Sequence, residues 1–169
     1  MKISRRLLIS GVAATLSLMA FNRAANAGTV IKVSLWDKGS TSMDNMDTLA
    51  PMGMAMPGAK MDMASMGIKV DRQEIPAGEI TFRVVNESQD FYHSLVISLV
   101  ADPTRELPYL IDKKMVDEDA AGRIGRGKEF KPHDSGSLTV DLQPGTYILY
   151  CNITGHYAMG MWTTIIVTA

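Results

Sequence analysis

A run of short β-branched segments separated by Pro and Gly turns restricts this chain to an all-β fold. Thr29 to Leu35 alternates, with Val30, Lys32 and Ser34 on one face and Ile31, Val33 and Leu35 on the other. Ile68 to Ile75 repeats the style and ends in the Pro76-Ala77-Gly78 turn. Glu79–Asn86 (EITFRVVN) and His93–Val100 (HSLVISLV) are strong strands. Gly136–Leu142, a Pro144-Gly145 turn and Thr146–Cys151 read as a hairpin, and Met161–Thr168 closes the chain. Strands of this length and number in 169 residues suit one sandwich or barrel. The exception is Leu107 to Met115, where Leu107, Leu110, Ile111 and Met115 share one face of a short helix.

Two segments lie outside that pattern. Residues 1–27 read as an export signal: Lys2, Arg5 and Arg6, an apolar stretch Leu7 to Phe21, then Ala25-Asn26-Ala27 as a small-residue cleavage site. Ser4-Arg5-Arg6-Leu7-Leu8 resembles a twin-arginine signal, with an ordinary secretory signal as the alternative. Removing its four basic residues leaves 13 basic against 18 acidic ones in residues 28–169. The expected product is a mildly acidic periplasmic protein, free of the membrane and monomeric. The second segment, residues 43–67, carries Met43, Met46, Met52, Met54, Met56, Met61, Met63 and Met66 among Asp, Gly, Pro and Ala. It has no structural period and reads as a mobile loop within the 28–169 domain.

Composition excludes several functions. With 17 basic and 18 acidic residues, the chain has no basic field for nucleic acid. Its one Cys forms no internal disulfide, no Cys-x-x-Cys redox pair and no multi-cysteine zinc site. Three His are too few for a multi-centre metalloenzyme built on imidazole. Phosphate loops, zinc-protease motifs and an oxyanion-hole pattern beside Cys151 are all missing, so no catalytic residue is assigned and the chain is not expected to be an enzyme by itself.

An unpaired Cys in an exported protein needs another purpose, because disulfides form in that compartment. Cys151-Asn152-Ile153-Thr154-Gly155-His156-Tyr157-Ala158-Met159-Gly160-Met161 supplies one. Cys151 ends a strand and Met161 begins the next, so the loop between can turn thiolate, imidazole and thioether toward one point. A thiolate with two imidazoles and a weak axial thioether is the ligand set of blue copper. The second imidazole must come from elsewhere. His93 opens a strong strand, whereas His133 sits in the polar turn Lys131-Pro132-His133-Asp134, where a surface role is expected. Met159 is the alternative to Met161 as axial ligand.

The Cys-x4-His-x4-Met loop, preceded by PGTYILYC and followed by a terminal β-branched strand, with a His at a strand start upstream, resembles the cupredoxins. Its spacing looks like that of rusticyanin and sulfocyanin. The resemblance spans about Ile68 to Ala169. It implies a Greek-key β-sandwich and one type 1 copper bound by His93, Cys151, His156 and, axially, Met161. It implies bracing of the Cys loop by the backbone after His93, with Asn86 and Ser94 as candidate supporting residues; Asn86 reads equally as turn punctuation, and Ser94 replaces the Asn common in the family. It also implies an apolar docking patch from Tyr157 to Gly160 around a partly exposed His156 edge. The implied function is one-electron transfer with a transient partner such as a c-type cytochrome or an oxidase, and Asp117-Glu118-Asp119 could steer a basic one. The competing reading is copper trafficking or resistance, with the eight methionines of residues 43–67 as secondary Cu(I) ligands.

Overall fold

The computed structural model describes residues 28–44, 64–102 and 105–169. The signal segment and six of the eight clustered methionines (Met46, Met52, Met54, Met56, Met61 and Met63) lie outside the described residues. Eleven strands are described: β1 Thr29–Asp37, β2 Met66–Val70, β3 Glu74–Pro76, β4 Gly78–Asn86, β5 His93–Leu99, β6 Tyr109–Leu110, β7 Met115–Val116, β8 Arg123–Phe130, β9 Ser135–Leu142, β10 Gly145–Tyr150 and β11 Trp162–Thr168.

They form two packed sheets, ordered β2-β1-β4-β9 and β3-β11-β10-β5-β8, plus the small β6-β7 ribbon. Pairing is antiparallel except for β1 with β4 and β3 with β11. The first sheet follows its alternation. Ile31, Val33 and Leu35 of β1 and Ile80, Phe82 and Val84 of β4 are buried, and they face Leu95, Ile97, Leu149, Ile165 and Val167 of the other sheet. Each such side chain contributes about 1.5–3 kcal/mol by leaving water.

β5 and β10 are buried on both faces. Their outer residues Val96, Ile148 and Tyr150 pack under Val100, Leu107, Val116, Ala121 and Tyr157 in a second apolar cluster. The excursion between β5 and β8 supplies that cover, except for Tyr157, which comes from the loop between β10 and β11. The excursion is not the expected helix: Tyr109–Leu110 pairs with Met115–Val116 around a 3-10 turn at Ile111–Lys113, and Lys114 takes φ 51°. Pro108 precedes the ribbon, and Leu107 and Val116 are buried while Ile111 is 79% exposed, so the apolar residues never share a helical face.

Two other expectations change, and one strand, β8, carries no sequence signal. Ile68–Ile75 splits between β2 and β3, which belong to different sheets. The strands flanking Pro144-Gly145 are not a hairpin, because β9 pairs with β4 and β10 with β5 and β11. The chain crosses between sheets there. β8 (RIGRGKEF) lacks a hydrophobic alternation because its close-packed positions are glycines. A Cβ on Gly125 would come within 2.7 Å of Val140 in the facing sheet.

The methionine segment is also shorter than expected. Met66 and Gly67 belong to β2, and Met66 is fully buried in the core. Met43 ends a 3-10 turn (Ser40–Met43) and packs half-buried against the same core. Both side chains therefore contribute to the apolar core at the two ends of the segment.

Candidate metal centre

The strand phases that build the core also deliver polar residues to one end of the sandwich. Along β1 the inward positions run Ile31, Val33, Leu35 and then Asp37; along β4 they run Ile80, Phe82, Val84 and then Asn86. From the opposite sheet, His93 precedes inward Leu95 and Ile97, and Cys151 follows inward Tyr147 and Leu149. β5 and β10 are adjacent, so His93 and Cys151 arrive at the same edge of the core. His156 closes the group from the loop between β10 and β11.

His93 Nδ1 lies 3.2 Å from His156 Nδ1, which lies 3.4 Å from Cys151 Sγ. One donor atom from each residue falls within 4.8 Å of the others, and all three side chains are buried. These separations fit one ion. Metal–nitrogen and metal–sulfur bonds of about 2.0 and 2.3 Å leave such distances at angles near 105°.

The protonation states suit a soft cation. Burial lowers the His156 pKa to about 4, assisted by the neighbouring His93. Burial also lowers His93, against the opposing pull of Asp37. Both rings are therefore neutral at pH 7. His93 Nε2 meets Asp37 Oδ2 at 2.9 Å, and an ionised carboxylate only accepts, so Nε2 carries the proton and Nδ1 presents its lone pair to the site. Burial raises the Cys151 pKa despite hydrogen bonds from the backbone N–H groups of Ile153 and Ser94. A metal bound there would displace the thiol proton.

Around these three side chains the backbone is tightly fixed. Ser94 N–H donates to Cys151 Sγ at 3.2 Å, and Asn152 N–H donates to Ser94 Oγ at 3.1 Å, leaving the Ser94 hydroxyl proton to point at the sulfur 3.6 Å away. The Asn86 amide donates to the carbonyls of Phe91, Phe130 and Lys131, and its oxygen accepts from Ser88 N–H. It therefore ties the segment leading into His93 to the end of β8. Within the loop between β10 and β11, Cys151 N–H bonds Met161 O, Met161 N–H bonds His156 O and Met159 N–H bonds Gly155 O. Gly155 and Gly160 turn the chain at φ 82° and 93°.

Met161 and Met159 are both buried in the core cluster that contains Cys151. His133 is at the surface, bonding Gln89 Oε1 at 3.2 Å. The expected exposed patch differs: His156 is only 3% exposed, and Tyr157, Met159 and Gly160 are buried. Tyr157 turns away, packing edge-on against Tyr150 at 5.9 Å. Phe91 stands edge-on to His156 at 6.2 Å instead, and its neighbour Tyr92 is 47% exposed.

Nor is Asp117-Glu118-Asp119 one solvated charge. Glu118 is 9% exposed, ion-paired with Arg123 and Arg126, and accepts from Asn152 Nδ2 at 2.8 Å. Asn152 also exchanges two hydrogen bonds with the Val116 backbone. Glu118 therefore supports the residue after Cys151.

Asp37 was not legible as a site residue from motif spacing, because 56 residues separate it from His93. The available signal was its in-phase position: an Asp continuing a buried face.

A two-sheet sandwich with a buried His-Cys-His group at one end defines a cupredoxin, with a donor set that fits one type 1 copper. The sulfocyanin (SoxE) domain model matches residues 72–169, and the chain belongs to that family. No curated protein matches the chain. Among solved structures it is similar to an auracyanin from Roseiflexus castenholzii, with a TM-score of 0.51 and 20% identity over 85% of this chain and 98% of that one. Rusticyanin from Thiobacillus ferrooxidans gives 0.51 and 20% over 84% and 79%. Auracyanin B gives 0.53 and 19% over 83% and 89%. At these identities the likeness is one of fold.

Proposed function

We propose that this protein is an exported, periplasmic one-electron carrier whose single copper is held by His93, Cys151 and His156, with Met161 as the axial ligand. The convergence of two buried neutral imidazoles and the only thiol on one point carries the reading. A copper bound there supplies a Cu(II)/Cu(I) couple that gains and loses electrons without bond making in a substrate. The chain's own residues limit rearrangement during that exchange. Ser94 and Ile153 hold the sulfur, Asp37 holds one imidazole, and the ligand loop is closed on itself by backbone hydrogen bonds.

Electrons would pass through the His156 end, where Phe91 meets the ring and Tyr92 offers an apolar surface to a transient redox partner such as a c-type cytochrome or an oxidase. Among the described residues no helix is long and apolar enough to cross a membrane.

A second reading, copper trafficking or resistance through Met46, Met52, Met54, Met56, Met61 and Met63, has one observation in its favour. The neck of that segment is fixed beside the site. Lys38 N–H bonds Ser65 O, Ser42 and Ser65 exchange hydroxyl-to-carbonyl bonds, and Asp37 precedes the neck. Copper stoichiometry and voltammetry separate the two. One copper per chain and a reversible one-electron wave, both unaffected by deleting residues 45–63, support the carrier. Several Cu(I) ions per chain, lost on deletion without a reversible wave in either form, support trafficking.

A further inference from the structure

The Asp37 carboxylate is an unusual object in this core. Its side chain is 1% exposed, and His93, which it contacts, is 0% exposed. Three donors satisfy it: His93 Nε2–H, Gly39 N–H at 2.7 Å and the Ser88 hydroxyl. The Ser88 oxygen itself accepts from the N–H groups of Asp90 and Phe91, so its proton is directed to Asp37. A carboxyl that accepts from three donors at once is held as the anion. Among the described residues no lysine or arginine pairs with it.

A buried anion without a cationic side chain needs its compensating charge elsewhere. Resting on the copper reading above, we propose that Asp37 sets the reduction potential of the site by biasing it toward the oxidised state. The charge count gives the sign. Cu(II) with one thiolate carries one net positive charge, and Asp37 brings the buried group to neutrality. Reduction to Cu(I) adds one electron and no proton, leaving Asp37 uncompensated in the protein interior. The same carboxylate keeps the Nε2 proton on His93 and makes Nδ1 a stronger donor, which also favours Cu(II). Asp37 is a positioning residue: it acts through His93 and does not touch the metal.

Asp37→Asn tests charge against geometry, because Asn retains an acceptor of the same shape. Loss of the charge should weaken Cu(II) relative to Cu(I) about tenfold, at the lower end of what outer-shell changes cost, which is a potential higher by about 59 mV. Asp141→Asn removes the same charge at the exposed far end of β9 and measures the background shift. A potential that moves no more in Asp37→Asn than in Asp141→Asn, with the visible spectrum retained, would leave Asp37 a purely orienting role and overturn the proposal.

Nitrogen-15 spectra of the unmutated Cu(I) protein provide a check that does not depend on a variant folding. His93 should carry its proton on Nε2, in a slowly exchanging hydrogen bond; a proton on Nδ1 or a bare Nε2 would overturn the assignment. A native protein with no copper couple defeats the functional reading itself. A native couple that ignores Asp37 defeats only this inference.

Discussion

Asn86 offers the most demanding test of how the fold holds its site. It is fully buried, its NH2 group serves three carbonyls at 2.9–3.0 Å, and its oxygen accepts from Ser88 at 3.0 Å. Asn86→Ala removes all four contacts. The two N–H protons are shared among three acceptors, so the bonds lost number three in energetic terms, at about 1 kcal/mol each. The stranded Phe130 carbonyl and Ser88 N–H add a desolvation penalty of about 1–2 kcal/mol, since both lie where water does not reach easily. The expected loss is about 4–5 kcal/mol, large against a total stability of about 5–15 kcal/mol. Urea unfolding of the copper-free protein measures it, with the midpoint shifted and the slope unchanged. Because the same contacts anchor residues 87–92, copper affinity should fall as well. Asn86→Asp should be at least as damaging, since its carboxylate would face the three carbonyl oxygens. A loss below about 1 kcal/mol, with copper affinity intact, would refute the idea that Asn86 organises the approach to His93.

Further predictions concern the ligands and their protons. Met161→Leu should retain copper and raise the potential, whereas Met159→Leu should leave it nearly unmoved; voltammetry showing the opposite would transfer the axial role to Met159. Ser94→Ala should lower the potential by removing a hydrogen bond that draws charge from the thiolate, and should cost about 1 kcal/mol through the lost Asn152 contact. In the copper-free protein the His156 pKa is about 4 against 6.5 unfolded, so the unfolded state takes up its proton first. Its contribution, on the order of 3 kcal/mol, is present above pH 6.5 and is lost as pH falls toward 4. Urea midpoints that stay level from pH 7 to pH 4 would contradict the buried neutral imidazole. Glu118→Gln should weaken the fold by breaking the bridge to Arg123 and Arg126 while leaving the His93 side of the site in place; thermal melts and the copper spectrum check the two halves separately.

What the sequence made legible follows from which signals are local. Alternation places Ile31, Val33 and Leu35 inward, and the five-residue steps from Cys151 to His156 to Met161 mark a ligand loop. Those patterns need only neighbours along the chain. The missed features depend on what faces a residue across the sandwich. β8 has glycine where apolar residues would have marked a strand, because Val140 of the other sheet leaves no room for a side chain. Pro144-Gly145 looks like a hairpin turn, yet the flanking strands have their partners in different sheets. Met66 resembles its neighbours in the methionine run but falls in register opposite Asp37, within β2. Glu118 reads as surface charge until Arg123, Arg126 and Asn152 are seen to surround it. Asp37 was visible only as an Asp in phase with a buried face, and its meaning depended on His93, which meets it from the opposite sheet.

The visible absorption spectrum of the purified protein with one equivalent of Cu(II) tests the central claim most directly. The account predicts an intense sulfur-to-copper band at one copper per chain, bleached by ascorbate, restored by oxidation and absent in Cys151→Ser. A pale product, or a colour that survives Cys151→Ser, would contradict it.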